Sequence, residues 1–173
     1  SNVDVVSVIG NDENAITLKD LLIAIDVDIK YLITENNRIT SKKSRIIASQ
    51  QQVVRYDRES TDEITELSQK LILETFKRII NNYDNVLISD YGKGILSTKL
   101  TRSIINIAKQ NNKKVLVDPK GFDYSKYKGA YLLTPNINEA SVATNINIID
   151  DESLSKAIMQ LKSSCELEVS LIT

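Results

Sequence analysis

Short β-branched apolar runs alternate along this chain with longer stretches in which apolar residues recur every three or four positions. A period of two marks strands and a period near 3.6 marks helices. Val3–Ile9 reads as a strand stopped by Gly10-Asn11-Asp12, and Ile16–Ile25 as a helix with Leu18, Leu21, Leu22 and Ile25 on one face. Val27–Thr34 reads as extended. Residues 38–58 differ: Ile39, Ile46, Ile47, Val53 and Val54 are interleaved with Lys42, Lys43, Arg45, Gln51, Gln52, Arg55 and Arg58. That pattern predicts antiparallel strands with one apolar and one polar face. It is read as a small β flap, or lid, over about residues 27–58.

A helix is predicted to follow. Ser60 and Glu63 have capping-box spacing, and Ile64, Leu67, Leu71, Phe76, Ile79 and Ile80 recur at helical spacing to about Asn82. Strands at Val86–Ser89, Val115–Val117, Ala130–Leu133 and Leu167–Ile172 then alternate with helices at Ser97–Asn111, Asn136–Thr144 and Ser153–Ser163. The stripe of the first of these helices is Leu100, Ile104, Ile107 and Ala108. Strand–helix alternation argues for an α/β fold with a mostly parallel sheet flanked by helices, and the length suits one domain.

Three of the strands break into polar residues, at Ile88-Ser-Asp-Tyr-Gly-Lys-Gly94, Val115-Leu-Val-Asp-Pro-Lys-Gly121 and Leu132-Leu-Thr-Pro-Asn-Ile-Asn-Glu139. Ligands of open parallel sheets bind beyond the carboxyl ends of the strands. The three blocks therefore predict one shared site, rich in lysine and carboxylate and suited to phosphorylated substrates. Pro119 and Pro135 end two of these strands where the site would form.

Composition narrows the chemistry. The net charge is −1, which gives no global basic footprint for nucleic acid. Histidine is absent, which removes imidazole triads and histidine metal sites, so acid–base work falls to Asp, Glu, Lys or Tyr. The single cysteine, Cys165, cannot form an internal disulfide and reads as a small core residue. No apolar stretch approaches the roughly 20 residues of a membrane span and no signal peptide is visible, so the expected location is the cytoplasm. Ser1-Asn2 is compatible with an expression scar as well as with native chain.

Each motif has a structural and a functional reading. Gly92-Lys93-Gly94 is a tight turn that lifts Lys93 off the sheet edge, either into solvent or toward a ligand. Asp118-Pro119-Lys120-Gly121 is a turn, or an acid and a lysine placed at a strand end. Asn136 and Glu139 form a capping box, or order a metal-bound water near a phosphate. Lys43, Arg45 and Arg55 are a solvated strand face, or hold anionic oxygens under the flap.

In order and spacing these runs resemble the PfkB/ribokinase-type sugar kinases, and within them the kinases of heptose 7-phosphate. The similarity covers nearly the whole chain. Its most specific runs are Ser89-Asp-Tyr-Gly-Lys-Gly94, Asp118-Pro-Lys-Gly121 and Leu132-Leu-Thr-Pro-Asn-Ile-Asn-Glu139, with Lys43-Ser-Arg45 and Gln51-Gln-Val-Val-Arg-Tyr-Asp57 in the flap. The resemblance implies a ribokinase-like fold with a projecting lid, and ATP-dependent transfer to O1 of the heptose phosphate in ADP-heptose synthesis for lipopolysaccharide core. It implies ATP and Mg²⁺ as cofactors, with Asn136, Ile137, Asn138 and Glu139 in the nucleotide region and Asn136 and Glu139 on the metal side. It places Lys43, Arg45, Asp90, Lys93, Asp118 and Lys120 toward substrate and phosphate, with Lys93 and Lys120 neutralising phosphate charge, and implies a homodimer through the lid.

The family's Gly-Gly-Ala-Asn sugar segment and its Gly-Ala-Gly-Asp block have no match here, which implies a chain truncated at both ends. That second block carries the catalytic aspartate, so the base is expected beyond Thr173 and the chain alone is expected not to turn over. Two alternatives stay open: a kinase of the same fold acting on another sugar or a nucleoside, and a non-catalytic dimerisation or nucleotide-sensing module.

Overall fold

The computed structural model describes residues 3–173, so the reading of Ser1-Asn2 lies outside it. The chain divides into two compact units. One comprises the chain through Ile72 together with Lys93–Ile95, and the other comprises Leu73–Gly92 with Leu96–Thr173.

In the first unit, β1 (Ser7–Gly10) and β2 (Leu32–Glu35) pair in parallel and are connected through α1 (Glu13–Ala24). The ladder is shorter than the apolar run Val3–Ile9, and only an isolated bridge from Asp4 to Asp28 extends it. Asp12 caps α1 by accepting from Ala15 N at 2.9 Å, so the helix starts before its apolar period does. The same carboxylate accepts from Thr40 N at 2.9 Å, while Gly10 N donates to Thr40 Oγ1 at 2.9 Å. A Cβ on Gly10 would lie 2.2 Å from the Arg38 carbonyl, so the residue must be glycine for segment 38–40 to cross the strand end. The expected apolar face of α1 is not its buried face. Ala15 is buried whereas Leu21 and Ile25 are exposed, because two four-residue strands cover little of a 12-residue helix.

The segment expected to form a lid contains an antiparallel hairpin of β3 (Lys42–Ala48) and β4 (Gln51–Arg58). Its turn residues Ser49 and Gln50 both have positive φ, as a two-residue hairpin turn matching strand twist requires. The register shifts after Ile46, which pairs with Val54 while Ile47 pairs with Gln52, so Val53 bulges out. Alternation puts Ser44, Ile46, Val54 and Tyr56 on one face and Lys43, Arg45, Arg55 and Asp57 on the other. The two-faced expectation holds, but Ile46, Val54 and Tyr56 remain exposed. The extended segment before it is not part of this hairpin, since β2 pairs with β1.

Helix α2 (Glu66–Ile79) starts later than the Ser60–Glu63 spacing predicts. Thr65 is its cap: its hydroxyl accepts from Ser68 N at 3.2 Å and its carbonyl from Gln69 N at 3.0 Å. Ser60 Oγ instead accepts from Ile39 N at 2.9 Å. The buried stripe is Ile72, Phe76 and Ile79, with Ile80 beyond the helix end, while Leu67 and Leu71 are exposed.

The second unit is a four-stranded parallel sheet in sequential order: β5 (Asn85–Ser89), β6 (Lys114–Asp118), β7 (Leu132–Leu133) and β8 (Val169–Ser170). Helix α3 (Thr98–Gln110) joins β5 to β6, and α4 (Ile137–Thr144) and α5 (Asp151–Ser164) join β7 to β8. Ser97, Asn136 and Asp150 cap the three helices. Leu100, Ile104, Ile105 and Ala108 make the buried face of α3, and each large side chain there contributes roughly 1.5–3 kcal/mol of gross burial. Strands β7 and β8 are shorter than their apolar runs, yet backbone bonds continue the ladder, from Thr134 N to Val117 O and from Leu171 N to Leu133 O. Pro119 and Pro135 are buried just past β6 and β7, and Cys165 is a buried core residue at the end of α5.

The turn carrying Lys93 is pinned by its glycine. Gly94 has φ of 75°, its carbonyl accepts from Ile64 N at 3.0 Å, and an added Cβ would lie 1.9 Å from the Asp62 carbonyl. Gly121 also has positive φ, but a Cβ there meets nothing within 4 Å. Gly94→Ala is therefore expected to destabilise by at least about 2 kcal/mol, and by more than Gly121→Ala, which carries backbone strain alone. Urea unfolding of the two variants measures the difference, and equal midpoints would contradict the steric argument.

Candidate functional site

The three polar strand ends meet within the second unit. Asp90, directly after β5, is buried, and its Oδ1 accepts from Gly92 N at 2.7 Å. Its Oδ2 accepts from the Tyr127 hydroxyl at 2.7 Å and from Lys126 Nζ at 2.5 Å. Asp90 N donates to the Asp118 carbonyl at 3.0 Å, so the ends of β5 and β6 are also bonded through backbone. Tyr127 accepts in turn from Lys120 N at 3.1 Å. Lys120 Nζ reaches Glu139 Oε1 at 3.0 Å, and Glu139 Oε2 accepts from Asn136 N at 3.2 Å. Asn136 Oδ1 closes the capping box by accepting from Glu139 N at 2.9 Å. One hydrogen-bonded chain thus runs Asp90–Tyr127–Lys120–Glu139–Asn136 across the ends of three adjacent strands.

The electrostatics separate structural from available groups. Burial pushes the Asp90 carboxyl up, but hydrogen bonds from Lys126, Gly92 and Tyr127 outweigh it and hold the pKa below its ordinary value. Burial, reinforced by Asp90, pushes the Tyr127 phenol well above its usual range, so it stays a donor. Asp90 is consequently a fully engaged anion that fixes the strand ends. Asp118, Lys120 and Asn136 are exposed, and Ile137 and Asn138 sit exposed in the first turn of α4. The Tyr124 hydroxyl is buried without a hydrogen-bond partner, and burial pushes its pKa well above the usual range.

Lys93 belongs to the first unit and is not part of this chain of bonds. Its ammonium pairs with Glu59, the residue after β4, and its carbonyl accepts from the buried Arg38 guanidinium, which also donates to Asp62 O at 3.2 Å. On the β3–β4 hairpin, Lys43 faces Asp57 across the strands, and Arg45 faces Arg55, whose guanidinium holds Asp57 at 2.7 Å. Like charges directly opposite on a sheet are unfavourable. An anion beside Arg45 would relieve that pair.

The family model for pfkB family carbohydrate kinases matches residues 1–173. The chain belongs to this family. Among curated relatives it is 60% identical over 173 residues to the bifunctional protein HldE of Aliarcobacter butzleri and 48% identical over 173 residues to that of Helicobacter hepaticus. In both cases all of this chain and 36% of the relative are covered, so the chain spans about a third of their length. Among solved structures, Sa239 aligns with a TM-score of 0.80 at 18% identity, covering 98% of this chain and 55% of that one. Arabidopsis thaliana ribokinase, solved with ribose and ATP, aligns at 0.71 and 16% identity over 99% of this chain and 55% of that one. The fold is ribokinase-like: helices and a mostly parallel sheet, with the β hairpin as an addition.

Carbohydrate kinases of this fold use ATP with a divalent metal, which makes the fit of Asn136 and Glu139 testable. Among the described residues no three or more His, Cys, Asp or Glu side chains converge on a metal position. Glu139 already takes one donor on each oxygen, from Lys120 and Asn136, but each oxygen keeps a lone pair. The pair fits contact with a hydrated Mg²⁺ through its waters, and does not fit an all-protein cage.

Four residues of these clusters escaped the sequence reading. Lys126 and Tyr127 lie in a short turn after β6 with no periodic signal, and only the fold brings them to Asp90. Glu59 continues the charged run of β4 and reads as solvated surface, and Arg38 sits in an irregular segment.

Asp90→Asn should destabilise by about 3–5 kcal/mol, because it leaves the Lys126 ammonium in a largely buried place without its counter-charge. The folded pKa of Asp90 is lowered, so its contribution is complete above the unfolded value of 3.8 and is lost as pH falls through the lowered folded value. Thermal melts from pH 2 to pH 6 should show that acid-side loss in the wild type and a smaller one in Asp90→Asn. Parallel acid limbs would remove Asp90 as the responsible group.

Proposed function

We propose that this chain is the lid-and-strand-end portion of a sugar kinase that transfers phosphate from ATP to O1 of D-glycero-β-D-manno-heptose 7-phosphate. The observation that carries the reading is the bonded array at the ends of β5, β6 and β7, which presents Lys120, Glu139 and Asn136 together at the place where parallel sheets bind nucleotides. Support for the heptose substrate is the run-by-run resemblance in the lid and strand-end motifs, together with 48–60% identity to HldE proteins. The product is the 1,7-bisphosphate, an intermediate toward ADP-heptose.

Phosphoryl transfer depends mainly on positioning and charge stabilisation. ATP with Mg²⁺ supplies the phosphoryl group and the main counter-charge. With these bound, Lys120 would exchange the Glu139 carboxylate for a phosphate oxygen, and Asn136 and Glu139 would hold the hydrated metal through its waters. Asp118, exposed beside Lys120, keeps the anion density on the lysine side. Asp90 holds the strand ends through Tyr127 and does not itself meet the phosphate. Lys43 and Arg45 on the polar face of the lid hold the 7-phosphate, and the apolar face of Ile46, Val54 and Tyr56 packs on the lid of a second copy.

The natural full-length protein, incubated with ATP and heptose 7-phosphate, is expected to form the 1,7-bisphosphate by ³¹P NMR, while the 173-residue chain alone forms none. Lys120→Ala is expected to lower kcat/KM by about 10²-fold, the scale of a lost charge-stabilising donor. Preference for ribose, fructose 1-phosphate or a nucleoside would transfer the assignment to another sugar kinase, and turnover by the short chain would refute the need for a base outside it.

The lid pairing has its own test. Val54→Asp with Tyr56→Asp is expected to convert a dimer to monomer by light scattering with the fold retained by circular dichroism. A wild-type monomer at micromolar concentration would rule it out.

A further inference from the structure

Lys93 stands on a turn whose backbone is fastened on both sides, by Arg38 at its carbonyl and by Ile64 at the carbonyl of Gly94. Its ammonium is directed onto Glu59 Oε1. Glu59 follows the last lid strand, and its side chain is only 15% exposed against 30% for Lys93. The second oxygen, Glu59 Oε2, is buried without any hydrogen-bond partner. A carboxylate oxygen removed from water without a donor is an unfavourable arrangement, and a native protein keeps one where something else supplies the donor.

The charge around Lys93 decides what that donor is. Glu59 cancels the ammonium directly, and Asp57 adds a second carboxylate within electrostatic reach, its own charge held mainly by Arg55. A phosphate brought here would gain from Lys93 and lose to Glu59 by Coulomb terms of similar size and opposite sign. A neutral hydroxyl meets no such cancellation: its oxygen accepts a hydrogen bond from Lys93 and its O–H donates one to Glu59 Oε2. Lys93 is the more exposed partner of the pair.

We infer that Lys93 and Glu59 form a charge-neutral pair that reads one hydroxyl of the sugar, with Glu59 a specificity residue. This rests on the sugar-kinase reading and narrows the role of Lys93 within it.

The test uses the natural full-length protein, heptose 7-phosphate, its monodeoxy analogues and inorganic phosphate. The wild type is expected to discriminate against one analogue by at least about tenfold in kcat/KM, the scale of a hydrogen bond to a charged group. Glu59→Gln and Lys93→Gln should each lose that discrimination while the other analogues keep their relative rates. Competition by inorganic phosphate should stay unchanged or tighten in Glu59→Gln, and should not weaken in Lys93→Gln. Glu59→Asp serves as the folding control and should regain part of the discrimination. Equal losses across all analogues, or weakened phosphate competition in Lys93→Gln, would overturn the pair as a hydroxyl reader and leave the kinase reading standing. A wild type that phosphorylates no sugar would remove the kinase reading and this inference together.

Discussion

The Asp90 carboxylate holds the strand-end array together. It is an anion taken out of water at the point where β5 stops, and it persists because a backbone amide, a phenol and an ammonium all donate to it. The donors come from two places: the glycine turn after β5, and two neighbouring residues of the turn after β6. Satisfying one buried charge therefore fixes the relative position of two strand exits. Tyr127 carries the constraint onward, because the hydroxyl that donates to Asp90 also accepts from the backbone of Lys120. Lys120 Nζ in turn meets Glu139 Oε1 at the end of the next strand.

A second regularity is that lysines near these clusters carry their own carboxylates: Lys120 with Glu139, Lys126 with Asp90, Lys93 with Glu59. The pairs differ in burial, and burial sets what each can do. Lys120 and Glu139 are partly exposed, so the bond between them is weak in water and readily exchanged for a ligand oxygen. Lys126 and Asp90 are largely buried, so exchanging that bond would strand a charge, and the pair acts as structure. Lys93 and Glu59 lie between these limits, with one carboxylate oxygen left over.

Much of this was legible in the residues. The order of strands and helices, the two-faced hairpin, the cap at Asn136, and the burial of Cys165 follow from periodicity and local chemistry. So did the grouping of Asp90, Lys120, Asn136 and Glu139, because the ends of neighbouring parallel strands share one edge, whereas Lys93, expected in the same group, lies in the first unit and pairs with Glu59. The misses have physical causes as well. The stripes expected on α1 and α2 contain Leu21, Ile25, Leu67 and Leu71, all exposed, since an apolar period shows what a helix can bury and its neighbours decide what it does bury. The capping box at Ser60 failed because that hydroxyl had a better donor in Ile39 N, 21 residues away.

Sequence alone determined what depends on near neighbours: element type, strand stops at Pro119 and Pro135, the positive-φ glycines of the Lys93 turn, and the capping geometry of Asn136 with Glu139. Tertiary structure alone decided which charges face each other. Lys126 and Tyr127 reach Asp90 across 36 and 37 residues, and Glu59 meets Lys93 across 34. Pairings of that separation leave no local pattern, because a side chain's partner is chosen by the path of the backbone between them. They also separate the largely buried Lys126 from the more exposed Lys93 and Lys120, a distinction that residue type does not carry.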